Sequence, residues 1–164
     1  MGQKVNPISM RLQVNKDWRS KWFVPKREFA SYLTQDLKDR KLIEQKVGQR
    51  GAINKVDIER SPSLVTVTIS TAKAGVIIGR GGVGVQELKD KIQAIYQVNT
   101  RINIEEIKKS ELYAKIVAEN IANQLSRRIS FRRAIKQSAA ATMRAGAKGI
   151  RVEVSGRLNG AEMS

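Results

Sequence analysis

Ala74-Gly75-Val76-Ile77-Ile78-Gly79-Arg80-Gly81-Gly82-Val83-Gly84 is the stretch on which the fold turns. Glycine is unfavourable inside a regular element, by roughly 0.5–1 kcal/mol relative to Ala, so five in eleven residues mark a loop. Lacking Cβ, glycines at both ends of such a loop accept left-handed backbone and let another chain approach closely. Past the loop, Val85, Leu88, Ile92 and Ile95 recur at helical spacing. The glycines therefore sit at a helix N-terminus, where free N–H groups and the helix dipole favour phosphate. Arg80 adds a mobile cation between them.

Upstream, Ile53–Arg60 alternates loosely through Ile53, Val56 and Ile58, and Leu64–Thr71 is a cleaner β-branched run. Ser61-Pro62-Ser63 between them predicts a hairpin turn and hence antiparallel pairing. Before the hairpin, Phe29, Leu33, Leu37, Leu42 and Ile43 predict a helix over residues 27–47, stopped by Gly48 and Gly51. Downstream, Asn99 is expected to close the second helix, and residues 101–107 alternate as a strand, with Ile102 and Ile104 on one face. The order over residues 29–108 is helix, strand, strand, short helix, glycine loop, helix, strand, an α+β arrangement.

Two known phosphate-facing loops fit the glycines. Gly79, Gly81 and Gly84 satisfy Gly-x-Gly-x-x-Gly, and Glu105 and Glu106 lie about 20 residues further on, as a dinucleotide-binding fingerprint requires. That fold needs a long buried strand feeding the glycines, and Val76-Ile77-Ile78 is too short; a hairpin upstream and a single strand downstream also fail to build its parallel sheet. The better fit takes Gly79-Arg80-Gly81-Gly82 as the Gly-x-x-Gly loop of a KH module, which clamps a nucleic-acid backbone. The element order is that of a type II KH domain, α-β-β-α-α-β.

Composition narrows the chemistry. The 164 residues include 31 Lys plus Arg against 15 Asp plus Glu, a formal net charge of +16. A pI near 10.5 points to a polyanionic partner. With no Cys and no His, the chain has no disulfide, no thiolate or imidazole metal site and no His-based acid–base catalysis. No enzymatic activity, cofactor or metal is expected. The N-terminus lacks a secretory apolar region, no run reaches the roughly 18 apolar residues of a membrane span, and Asn6 stands where a myristoylation signal needs Ser or Thr. No membrane association is expected.

The charge gathers at both ends. Residues 1–28 read as a basic arm: up to Arg27 there are seven cations and one acid, Asp17, with Trp18, Trp22 and Phe23 interleaved. Those rings either stack on bases or pack against the next helix. Lys108-Lys109-Ser110 makes a polar hinge, so residues 109–164 are taken as a separate basic segment. Residues 111–145 hold no Gly or Pro and read as one long helix or two, with Ser126 or Ser130 as the internal cap, stopped by Gly146 and Gly149 before a short strand over 150–154. Between Glu119 and Glu153 there is no acid, yet Arg127, Arg128, Arg132, Arg133, Lys136, Arg144, Lys148 and Arg151 all fall there. On one continuous helix Arg128, Arg132 and Lys136 form a ridge at i, i+4 and i+8, with Arg133 beside it and Phe131 and Ile135 turned toward Ile121, Leu125 and Ile129. Like charges so close repel, and a polyanion relieves that.

Several separate blocks then resemble one family. Met1-Gly2-Gln3-Lys4-Val5-Asn6-Pro7 with Arg11-Leu12, Trp18 and Trp22-Phe23, the Ile77–Gly82 loop, the run 127–137, and the run 146–158 occur in the order of the KH-bearing small-subunit ribosomal proteins of bacterial type, third in the small-subunit numbering. The resemblance departs in the loop, where Arg80-Gly81 stands in place of two Lys, and at the end, where relatives continue past Gly160-Ala161-Glu162 into further strands. It implies a type II KH domain followed by a helical segment and the first strand of a truncated α+β C-terminal domain. It also implies a structural place in the small-subunit head, on a cytoplasmic or organellar ribosome, with ribosomal RNA, messenger RNA and neighbouring head proteins as partners. Gly79, Arg80, Gly81 and Gly82 would form the RNA-binding loop, and Arg132, Arg133 and Lys136 would line the channel through which messenger RNA enters. Lys4, Arg11, Arg19 and Lys21 of the arm, with Arg127, Arg128, Arg144 and Lys148, would lie on ribosomal RNA. A free-standing KH regulator of messenger or small RNA is the alternative that the same charge and loop support.

Overall fold

The computed structural model describes residues 2–47 and 51–158. Its elements are α1 (Pro7–Met10), β1 (Ser20–Lys21), α2 (Phe29–Val47), β2 (Ile53–Arg60), β3 (Leu64–Thr71), α3 (Ala74–Ile78), α4 (Val83–Tyr96), β4 (Asn99–Glu106), α5 (Ala114–Ser126) and α6 (Phe131–Arg144). Strands run in the order β1-β2-β3-β4. The Ser61-Pro62-Ser63 turn closes an antiparallel β2–β3 hairpin, and β3 pairs in parallel with β4 from Leu64↔Asn99 to Thr71↔Glu106. From α2 to β4 this is the α-β-β-α-α-β order of a type II KH domain. A register irregularity between Ile53 and Lys55 explains why β2 alternates only loosely.

Inward residues of the sheet (Val56, Ile58, Val65, Val67, Ile69) meet Ile77 of α3, Leu88, Ile92 and Tyr96 of α4, and Ile43 of α2 in one core. Burying side chains of this size contributes about 1.5–3 kcal/mol each. Helix α4 ends at Gln97, in left-handed backbone with φ 56°, and Asn99 opens β4 instead of closing the helix.

Two expectations are corrected, and two readings are refined. The stretch read as an unfolded arm carries α1, capped by the Asn6 side chain on the Ile8 amide at 2.9 Å, and β1, which pairs with β2 at Ser20↔Ile58. Of the residues whose spacing predicted α2, Ile43 is buried and Leu42 packs against the core, while Phe29, Leu33 and Leu37 are exposed and Asp36 and Asp39 are buried instead. Residues 111–145 are two helices, broken at Arg127–Ser130 where Arg128 takes φ 61°, so Arg128 leaves the ridge. Residues 150–154 form no ladder among the described residues, although their burial alternates as a strand's would. Without a partner strand, alternation alone makes no sheet. Gly48 and the Gly160-Ala161-Glu162 run lie outside the described residues.

The end of α6 follows the sequence closely. Gly146 at φ 99° donates its amide to the Met143 carbonyl, and Ala147 donates to that of Thr142, the paired bonds of a Schellman stop. No helix among the described residues is long and apolar enough to cross a membrane.

Candidate nucleic-acid interface

Residues Gly79 to Gly84 form a tight turn between two helices. The Gly79 amide closes α3 on the Gly75 carbonyl at 3.0 Å, and Gly79, Gly81 and Gly82 take φ of 71°, 62° and 83°. Gly84 is needed for a different reason: a Cβ there would stand 2.5 Å from the Ile77 carbonyl oxygen and 3.0 Å from that of Ile78. The glycines thus divide the work, some giving left-handed backbone and one giving contact between α3 and α4. Arg80 projects from the turn, exposed and without an ion pair among the described residues. Because α3 is a helix, no strand feeds the glycines, and the dinucleotide fingerprint lacks the element it depends on.

The basic segment builds a second surface. Ala134, Ser138 and Thr142 are the buried positions of α6, so Arg132, Arg133 and Lys136 project to solvent. With Ser130 and Gln137 these three line one concavity of about 660 Å³. The Ser130 side chain makes no cap bond, and the first turn of α6 holds no acid. Cations beside the positive end of a helix dipole are unfavourable unless an anion sits with them. Arg132 also lies over the Phe131 ring, 5.7 Å from its centroid. Among the described residues, none of Arg127, Arg128, Arg132, Arg133, Lys136, Arg144 and Lys148 has an acidic partner. Arg127 and Arg128 lie in the helix break, Arg144 in the last turn of α6 and Lys148 past the stop, so the structure spreads these seven over more than one face.

The N-terminal cations differ among themselves. Lys4 is exposed, and Arg11 donates to the Pro7 carbonyl at 3.0 Å. Arg19 is fixed through its backbone, its carbonyl accepting from the Ile58 amide at 2.9 Å and from Arg40 at 2.8 Å, with its own side chain exposed. Lys21 is engaged by Asp17 at 2.8 Å and Glu59 at 3.6 Å. Its bond to Asp17 raises the ammonium's pKa and lowers that of the carboxyl. Of the aromatic residues, Phe23 is 96% exposed, whereas Trp22 packs in tilted contact with Phe29 and Tyr32 at centroid distances of 5.4 and 5.6 Å.

Sequence reasoning missed what holds this segment down. Arg60, at the end of β2, forms a salt bridge with Asp36 of α2; the side chains are 5% and 2% exposed. Arg60 also donates to Gln35 and to the Tyr32 carbonyl, both at 2.9 Å, and lies over the rings of Tyr32 and Tyr96 at 4.6 and 4.3 Å. The Trp22 indole donates to the other Asp36 oxygen at 2.8 Å. Tyr96 donates toward Asp36 and Asp39 at 3.3 and 3.2 Å. An aspartate pair at i, i+3 on a helix otherwise rich in leucine is the sole signal the sequence offers for this network.

Asp39 faces Tyr96 and Asp36 with one oxygen unpaired, and burial pushes its carboxyl up to about 6. Burial, reinforced by the nearby carboxylates, likewise raises the Tyr96 phenol. A carboxyl raised in the folded state destabilises it above that pKa, and the cost disappears as pH falls toward the unfolded value near 3.8. Asp39→Asn is therefore expected to stabilise the fold at pH 7 by on the order of 2 kcal/mol, with the gain vanishing near pH 4. Urea unfolding of parent and variant across that range checks it; a gain independent of pH would contradict the assignment.

Comparison with known proteins places two families on the chain. The KH domain family matches residues 38–112, and the family described as ribosomal protein S3, C-terminal domain, matches residues 121–164. The chain is 54% identical over all its 164 residues to the small ribosomal subunit protein uS3 of Finegoldia magna, and covers 67% of that protein. It is 49% identical over its full length to the uS3 protein of Shouchella clausii, covering 74% of it, and 50% identical to that of Ligilactobacillus salivarius, again covering 74%. The chain thus spans about two thirds to three quarters of the length of these relatives. With a type II KH fold, a glycine turn between two helices and a helix whose cations have no acidic partner among the described residues, the chain belongs to the uS3 family of small-ribosomal-subunit proteins, structural and RNA-binding components of the ribosome without enzymatic activity.

Proposed function

We propose that the concavity of Arg132, Arg133 and Lys136 lines the channel through which messenger RNA enters the small subunit, while the rest of the basic surface is laid on ribosomal RNA in the head. What supports this is one observation: three cations without acidic partners share a single hollow at an uncapped helix N-terminus. Such a site holds phosphates of a passing strand without reading its sequence. The loop Gly79–Gly82, with Lys4, Arg11, Arg19, Arg127, Arg128, Arg144 and Lys148, would take ribosomal RNA; Lys21 would join only by exchanging Asp17 and Glu59 for phosphate. Head proteins are the expected neighbours, on a cytoplasmic ribosome or an organellar one. The mechanism is passive: cations hold single strands while translocation draws the messenger through. Family membership weighs against the free-standing regulator.

Changing Arg132, Arg133 and Lys136 to Ala is expected to leave folding within about 0.5 kcal/mol, since these are exposed helix positions. Incorporation into subunits should persist. Translation through base-paired messenger should slow, while unstructured messenger proceeds near the parent rate. For single-stranded RNA the log–log salt slope should shrink by about 2, at roughly 0.7 per phosphate contact. Equal slowing on both messengers would remove the assignment to the entering messenger, and failure to assemble would place these residues on ribosomal RNA.

A further inference from the structure

A second cleft, of about 620 Å³, opens where α3 faces α5 and α6. Its lining is chemically different from the basic hollow. Asn120, Asn123 and Gln124 come from α5 and Gln137 from α6, with Lys73 and Arg127 on the same rim. The four amide side chains make no hydrogen bond within the described residues, and the Gln124 Oε1 oxygen is cut off from solvent without a donor. Val76, 49% exposed, and Ala141 add an apolar wall.

These features specify a ligand class. An amide presents a donor and an acceptor side by side, which matches the Watson–Crick edge of a nucleobase. A wall of neutral amides does not suit a polyphosphate, whereas two cations against the one acid, Glu111, suit a single phosphodiester. The volume lies within the usual range of about 300–1,000 Å³ for small-ligand sites and leaves room for one unstacked nucleotide. Gln137 lines both this cleft and the Arg132–Lys136 hollow, so a strand on those cations reaches the mouth of the cleft with its next base.

We propose that the cleft between α3 and the α5–α6 pair receives one unstacked nucleotide of single-stranded RNA, its base held by Asn120, Gln124 and Gln137 and its phosphate by Lys73 and Arg127. This rests on the RNA-binding reading of the basic hollow and adds a base-sensing step to it. The cleft selects unpaired RNA, because a base inside a duplex has no free edge to offer.

The test uses the full chain and short single-stranded RNAs, intact or with one nucleotide made abasic at successive positions, followed by fluorescence anisotropy. Asn120→Ala/Gln124→Ala, checked for parental helicity by circular dichroism, should bind intact strands about tenfold more weakly, the loss of two ordinary hydrogen bonds. Its salt slope should match the parent's, since no phosphate contact is removed. One abasic position should cost the parent a similar factor and the double variant nothing more. Parent-like affinity in the double variant, or equal abasic penalties in both proteins, would overturn the proposal while leaving the basic hollow intact. Competition by free nucleoside monophosphates at low micromolar concentration would overturn it in favour of a free-nucleotide pocket. A parent chain with no salt-dependent binding to any strand would bring down the RNA reading of the hollow as well.

Discussion

Arg60→Met is expected to lower the free energy of unfolding by about 3–5 kcal/mol, the usual cost of removing one partner from a buried ion pair. The guanidinium is the cation that Asp36 meets in the interior, and it donates as well to Gln35 and the Tyr32 carbonyl. Methionine fills much of the same space between the rings of Tyr32 and Tyr96 but leaves a carboxylate without a counter-charge. Arg60→Met/Asp36→Asn should lose less than Arg60→Met alone, because the amide is uncharged and its oxygen can still accept from the Trp22 indole. Urea unfolding gives both values. A loss below about 1 kcal/mol in the single variant would mean that the pair is hydrated rather than buried. Since the Arg60 guanidinium also lies over the Trp22 ring, 5.9 Å from its centroid, the variant should loosen the N-terminal segment as well, read as a red shift of tryptophan emission before global unfolding.

Gly84→Ala should cost about 2–3 kcal/mol, in the range of overpacking by a single methyl. The added Cβ would meet backbone oxygens, of Ile77 at 2.5 Å and Ile78 at 3.0 Å, and backbone cannot rotate away as a side chain would. The helices α3 and α4 must then part, moving Ile77 and Leu88 in the core and opening the glycine turn between them. Gly81→Ala is the control: nothing lies within 4 Å of its Cβ, and its only penalty is that of φ 62°. Thermal melts should rank Gly84→Ala well below Gly81→Ala. The reverse order would show that backbone conformation, not close contact, is what the third glycine of the motif supplies.

Local signals in the chain settled the order of elements, and the reason is that they act over a few residues. Ser61-Pro62-Ser63 made the hairpin, and the glycine run followed by Val85, Leu88 and Ile92 placed a turn at a helix N-terminus. Gly146 stopped α6 through two backbone bonds. Acid-free residues 120–152 marked the unpaired basic surface in the same way, because a lack of opposite charge nearby in sequence left few acids to find. Tertiary structure alone decided which face of α2 is buried. Phe29, Leu33 and Leu37 lie exposed, whereas Arg60, twenty-four residues beyond Asp36, supplied the counter-charge that carries Asp36 inside, and the Tyr96 hydroxyl meets both Asp36 and Asp39 there. It decided too that Trp22 packs while Phe23 does not, that Arg128 leaves the ridge of Arg132 and Lys136, and that four amides from two helices meet in one cleft. Each of these depends on groups distant in sequence becoming neighbours, where burial turns charge and hydrogen bonding from minor terms into deciding ones.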